Sequence, residues 1–322
     1  MTRLSLIAVL LPWVAGAQPL QLVHTIALPG VQGRIDHFSA DVAGKRIFMA
    51  ALGNNTVEVI DPVAAKVLHS IKGAAEPQGL FYWPEGNQLY VANAKSGKVR
   101  VFDGSSYSSL KEYDLNSDPD NLRFDPKEKE IFVGYGNGAL GVINPKLGSR
   151  VGDTALDAHP ESFQLEREGP RIFVNVPGAD SVAVVDRRTR TVIGKWPVSA
   201  RQNFPMALDE ASHRLFIGCR KPAKLLVLDT SSGKQVAAID IVADTDDLFY
   251  DSSLKRIYIS GGGGAVTVIN QVDADHYALN TTIPTGAGAR TSYFVPDLKQ
   301  LYVAVPHRGK QAAALLVFAT QR

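Results

Sequence analysis

Polar side chains suited to acid–base, metal-binding or anion-binding chemistry recur in this sequence just ahead of apolar runs, roughly 42 residues apart. They begin with Arg34, Asp36 and His37, then Gln78, then Asp120 and Asn121, then His159, Glu161 and Ser162. Arg201 and Asn203, Asp246 and Asp247, and Arg290 and Thr291 complete the series. His37 beside Asp36, and His159 near Glu161, are the candidate acid–base pairs, because catalysis needs a titratable group poised against a partner. Asp36, Asp120, Glu161 and Asp246 are the candidate metal ligands, with the hard oxygens that Ca²⁺ or another divalent cation accepts. His37, His159 and His307, with one or two carboxylates, suit a transition metal. Arg34, Arg201 and Arg290, with Arg220 and Arg308 on neighbouring loops, offer the planar fork that holds a carboxylate or phosphate. No two of these sets have a diagnostic spacing, since their members come from different repeats. Polar strand starts around a water-filled channel are the plainer alternative.

The elements that must position these residues are legible from a repeat. An aliphatic–aromatic pair occurs at Ile47-Phe48, Leu89-Tyr90, Ile131-Phe132, Ile172-Phe173, Leu215-Phe216, Ile257-Tyr258 and Leu301-Tyr302, at spacings of 42, 42, 41, 43, 42 and 44. An alternating run follows most pairs (TVEVI, KVRVF, ALGVI, SVAVV, LLVL, AVTVI), and six of the seven runs end at Asp61, Asp103, Asn144, Asp186, Asp229 and Asn270. β-Branched and aromatic alternation between Gly, Asn, Asp and Pro clusters predicts strands and turns, with no helical period. Four antiparallel strands per repeat make the blade of a β-propeller, so the spacing predicts an all-β, seven-bladed ring over 18–322 as one domain. The chain ends with three strands of a blade and begins with a spare one, LVHTIAL, which matches VLHSI of the first repeat with His24 at the place of His69. The spare strand is expected to complete the last blade and close the ring, removing its open edges. His24 and His69 are then structural or surface residues, and the repeated Asp61, Asp103, Asp186 and Asp229 are turn-forming. Gly261 to Gly264 reads as a loose loop, and blade five is blurred by about a residue at Phe204-Pro205.

Leu89-Tyr90-Val91-Ala92-Asn93 followed by SGKVRVFD resembles the YVTN-type propeller repeat, and IFVNVPGADSVAVVD and IFMAALGNNTVEVID are variants of it. The resemblance runs from Gly33 to about Phe318. It implies a seven-bladed propeller of the periplasmic or secreted YncE-like kind. That family mixes binding and surface-layer proteins, with related rings in lactonases, so it carries over a fold and no catalytic residue. A recurring Trp-Asp signature and a C-x-x-C-H haem site are absent from the sequence.

Composition bounds the rest. A chain of 322 residues with 45% hydrophobic and 20% charged residues has the make-up of a soluble globular protein. A net charge of +2 without a basic run speaks against nucleic acid as a partner. Arg3, the apolar run Leu4 to Val14 and Ala15-Gly16-Ala17 read as a secretory signal peptide over 1–17, too short to span a bilayer. The mature chain is expected to begin at Gln18, to act in the periplasm or outside the cell as a monomer, and to carry no transmembrane segment. Cys219 is the sole cysteine and reads as a small buried residue. The expected function is a binding module using the polar face at the channel mouth for a small polar ligand, a glycan or a protein. The alternative is a divalent-cation-dependent hydrolase or lyase, lactonase-like, at the same face, and the third is a structural surface protein. The sequence itself requires no cofactor.

Overall fold

A computed structural model describes residues 18–321; the segment read as a signal peptide lies outside them. The described residues form seven four-stranded antiparallel sheets arranged as blades of a ring, as the repeat predicts. Blade one shows the plan: an innermost strand Phe38–Asp41, then Arg46–Ala51, Thr56–Asp61 and an outermost Lys66–Lys72. Blade seven joins both ends of the chain, with Leu20–Ala27 antiparallel to Ala314–Thr320. His24 faces Val317 as His69 faces Val59, so the two strands occupy equivalent places. Both histidines are exposed.

The second strand of each blade is buried on both faces, which is why its pattern is nearly continuous rather than alternating. The repeated aromatics Phe48, Tyr90, Phe132, Phe173, Phe216, Tyr258 and Tyr302 are all buried and sit between blades. Phe48 stacks on Tyr82 of the next blade at 5.4 Å between centroids, and Tyr258 meets Phe294 at 5.3 Å. A repeat of this residue is therefore a repeat of the blade-to-blade contact. Each strand-ending Asp closes its hairpin: Asp61 Oδ1 accepts the N–H groups of Val63 and Ala64, and Asp103, Asp186 and Asp229 do the same two and three residues on. Cys219 is buried and unbonded, and burial pushes its thiol up to about 12.

One loop differs from expectation. Gly261–Gly264 is packed, not loose: Gly262 and Gly263 donate to the carbonyls of Asp244 and Ala243. A Cβ at Gly261 would lie 2.5 Å from the Ala243 carbonyl oxygen, so a glycine is what lets this turn close over the neighbouring loop. Among the described residues no helix is long and apolar enough to cross a membrane.

Candidate functional site

The innermost strands carry the site, and irregularities at their starts aim it. Pairing slips between Pro77 and Leu80, Pro119 and Leu122, Asn203 and Met206, and Thr245 and Asp247. Residues in these slips leave the ladder and turn toward the axis, as bulged residues do near binding sites. In blades one and four the polar residues lie just ahead of the strand: the Asp36 N–H donates to the Ala50 carbonyl and the Glu161 N–H to that of Asn175, in equivalent pairings. The result is one cavity of about 360 Å³ at the channel mouth, to which all seven blades contribute. Arg34, His37, Gln78, Asp120, His159, Glu161, Asp246 and Arg290 line it, together with Arg220.

Other expected members stand elsewhere. Arg201 is exposed on the same face and reaches only Asp180, at 3.7 Å. Asn203 is wholly buried, donating to Asn175 Oδ1 at 3.0 Å and to the Ser181 carbonyl at 2.9 Å. It clamps two blades, and Phe204 takes its place at the mouth because the Phe204-Pro205 step turns the chain over. His307 lines a side pocket of about 240 Å³ with Arg34, Arg290 and Arg308. Asn121 lies one layer deeper, with its amide 3.3 Å from His37 Nε2.

The mouth is a web of opposed charges. Arg34 Nη2 meets Asp36 Oδ2 at 2.7 Å. His37 sits among three carboxylates, with Nδ1 3.3 Å from Asp247 and Nε2 3.5 Å from Asp36 and 3.9 Å from Asp120. Burial opposes its charge, but Asp247, Asp36 and Asp120 together outweigh that and lift its pKa to about 10. On the far side, Arg220 lies 3.7 Å over the Phe204 ring and pairs with Asp246, while Arg290 reaches Asp244 at 3.2 Å.

Asp120, His159 and Glu161 form a cluster with metal-ligand potential, their ligand atoms all within 4.8 Å of one another. His159 Nδ1 lies 2.6 Å from the Gly136 carbonyl, so Nδ1 carries the hydrogen and Nε2 faces Asp120. That is how proteins orient a histidine that uses its other nitrogen on a metal. Burial resists charging of His159, yet Asp120 and the Gly136 carbonyl raise its pKa to about 9. Burial, with Asp120 and Asp246 adding repulsion, raises Glu161 to about 8, and burial likewise lifts Asp36 to about 7 and Asp246 above its usual range. Asp120 alone is held low against its burial, by His159, His37 and Arg34. At neutral pH the histidines are therefore cations and Glu161 carries a proton, and the mouth is more positive than its count of acids suggests.

Of the sequence candidates, the structure gathers Arg34, Asp36, His37, Gln78, Asp120, His159, Glu161, Asp246 and Arg290 around one cavity or its wall. It adds Glu76, Asp118 and Phe204, which the repeat register did not single out because they precede or follow the aligned position. Asp118 adopts a positive φ of 41°, a turn conformation that aspartate tolerates better than most residues.

No protein-family model matches the chain. It is 29% identical over 102 residues to "Uncharacterized protein YncE" of Salmonella typhi and 30% identical over the same length to that of Salmonella typhimurium. Those alignments take in 30% of this chain and 29% of the relative, so the chain spans about three tenths of the length of the curated relatives it matches. Among solved structures it is similar to Kuenenia stuttgartiensis hydrazine synthase, with a TM-score of 0.74 at 18% identity over 91% of this chain and 96% of that one. A chain of a mitotic checkpoint complex superposes with a TM-score of 0.79 at 13% identity, over 100% and 98% of the two chains. At such identities the likeness is one of fold. The repeat, the seven blades and the YncE match agree on a YncE-like propeller.

Proposed function

We propose that this YncE-like propeller is an exported binding module that captures a small polar carboxylate-bearing ligand at the channel mouth. One observation carries the reading: all seven blades place side chains on a single cavity of about 360 Å³. A packing need would repeat one residue type, whereas this wall differs from blade to blade. The polarity fits a hydroxy acid. Arg34 and Arg290 stand on one side for its carboxylate, and His37 and His159 add positive charge. Asp118, Asp120 and Gln78 can accept from hydroxyls, while protonated Glu161 can donate to a ligand oxygen. Titrating gluconate and glucuronate into the mature chain tests this, with Arg290→Ala and Glu161→Gln as variants. Saturable binding weakened in both variants supports the reading; binding unchanged in both refutes it.

A second reading, a divalent-cation-dependent lactone hydrolase or lyase, is favoured by the Asp120–His159–Glu161 cluster and by the anchoring of His159 Nδ1 on the Gly136 carbonyl, which leaves Nε2 facing the cluster. A cation there would polarise a carbonyl, with Asp36 or His37 nearby as the proton-handling pair. The hydroxy acid is the product of lactone hydrolysis, so the same ligands serve both readings. Elemental analysis before and after chelation separates them: a metal near one per chain, with lactone turnover lost on chelation, selects the enzyme. Export to the periplasm or beyond belongs to the same proposal and rests on the sequence of residues 1–17.

A further inference from the structure

Below the mouth the innermost strands build a second ring of equivalent positions, each paired across the ladder with the repeated aromatic of the second strand. Phe81, Phe249 and Tyr293 fill it in blades two, six and seven, whereas Arg123 and Gln164 fill it in blades three and four. These side chains line a separate cavity of about 500 Å³, which shares only His37 with the mouth. Part of its wall is aromatic: Phe81 stacks on Phe124 at 5.2 Å, and Phe249 meets Tyr293 edge-on at 6.0 Å. Arg123 is the anomaly in this wall. Its Nη1 donates to the Leu122 carbonyl at 2.8 Å and its Nη2 to Ser162 Oγ at 3.3 Å. No carboxylate among the described residues pairs with it, although Arg46, Arg171, Arg214 and Arg220 each have one. Desolvation pushes its pKa down from the usual guanidinium value, against the weaker attraction of Asp247. The one carboxylate on this wall, Asp247, is already engaged by His37 Nδ1 at 3.3 Å and by the Ser292 N–H at 2.8 Å.

A part-buried guanidinium with no ion-pair partner carries a desolvation cost that a bound anion would offset. A concave cavity of this size, in which aromatic rings and convergent polar groups share the wall, can hold a small molecule. We propose that the lower chamber is a second ligand site for an aryl carboxylate, its carboxylate paired with Arg123 and its ring held between the Phe81–Phe124 and Phe249–Tyr293 pairs. A simple inorganic anion would leave the aromatic walls without a partner, and a cationic ligand would face Arg123. The chamber extends toward the far end of the ring, where Arg167 follows the blade-four strand and lines the cavity with an exposed side chain. A positive residue at that opening favours approach of an anion. The site stands independently of the mouth.

Calorimetric titration of the mature chain with benzoate and 2-naphthoate, and with benzyl alcohol and benzylamine as uncharged and cationic counterparts, tests it. The carboxylates are expected to bind one per chain, at least about tenfold more tightly than either counterpart, the ratio expected of charged hydrogen bonds. Arg123→Gln is expected to remove that preference and Arg123→Lys to keep part of it, because a point charge lacks the fork. Glu161→Gln, at a residue that lines the mouth and not the chamber, is expected to leave aryl carboxylate affinity within about twofold, as for sites that share no direct contact. Should Arg123→Gln fail to melt cooperatively, Phe249→Leu provides the reading, with weaker naphthoate binding expected. Absence of aryl carboxylate binding at millimolar concentration, equal binding by wild type and a folded Arg123→Gln, or loss in Glu161→Gln in place of the chamber variants would each overturn the proposal.

Discussion

Replacing Glu161 by Gln should make the protein relatively more stable as pH rises. In the fold, burial and the neighbouring Asp120 and Asp246 carboxylates lift Glu161 from 4.5 to about 8. A raised pKa means that the native state holds the proton more tightly than the unfolded chain. That stabilisation is complete below pH 4.5 and is lost as pH climbs through about 8. Taken alone, an acid displaced that far loses about 5 kcal/mol across the window. Part of that loss already falls below pH 5.5, and relaxation and water entry around a buried charge reduce the rest, which brings the expected effect above pH 5.5 to about 2 kcal/mol. The amide introduced by Glu161→Gln cannot ionise, so its cost to the mouth stays constant. Urea unfolding at pH 5.5 and pH 8.5 should show the difference between variant and wild type moving in favour of the variant by about 2 kcal/mol at the higher pH. A difference independent of pH would mean that Glu161 titrates as an ordinary surface acid, and the buried-cluster account of the mouth would fail. His37 and His159, raised to about 10 and about 9, act in the same direction at higher pH. Wild type should therefore keep losing stability above pH 8.5.

Three further expectations rest on other parts of the ring. Asp125→Ala leaves Arg187, 4% exposed and 3.1 Å from that carboxylate, without its counter-ion; chemical unfolding should show a loss of about 3 kcal/mol, as for other broken buried pairs. Ile26→Ala hollows the closing strand against Leu315 and Val317, and should cost about 2–4 kcal/mol by the same measurement; a loss below about 0.5 kcal/mol would show that the N-terminal strand is not part of the cooperative core. Expressed in full in a bacterial host, the chain should be recovered outside the cytoplasm, with N-terminal sequencing beginning at Gln18; an intact Met1 on the recovered protein would refute processing.

The ring could be read from the sequence because the contact between blades repeats with the blade. Phe48 and Tyr258 do the same job in different blades, so the same residue type returns at the same interval. The hairpin aspartates and the closing strand were legible for the same reason. A site assembled across the ring has no such redundancy. Register placed Asp36, Asp120, Glu161 and Asp246 near the axis, but it could not tell that Asn203 turns inward or that Arg201 stays in solvent. Those outcomes depend on the local bulge at Phe204-Pro205, which pattern marks but does not orient. His307 lines a side pocket beside the mouth, and a loop's lean across its neighbour leaves no periodic trace in the sequence. The lower chamber had a signal that went unread: an arginine at Arg123, where the equivalent positions of blades two, six and seven are aromatic.

The measurement that bears most directly on the mouth is a gluconate titration of the mature wild-type chain beside Glu161→Gln and Arg290→Ala, repeated after chelation. One saturable site per chain is expected, with affinity reduced at least about tenfold in Arg290→Ala, since charged hydrogen bonds of this kind are worth that much. Retention of that binding after chelation fits the binding module, and its loss moves the function to the cation-dependent reading. No saturable binding, or equal affinity in all three proteins, would contradict the claim that seven blades converge on one ligand site.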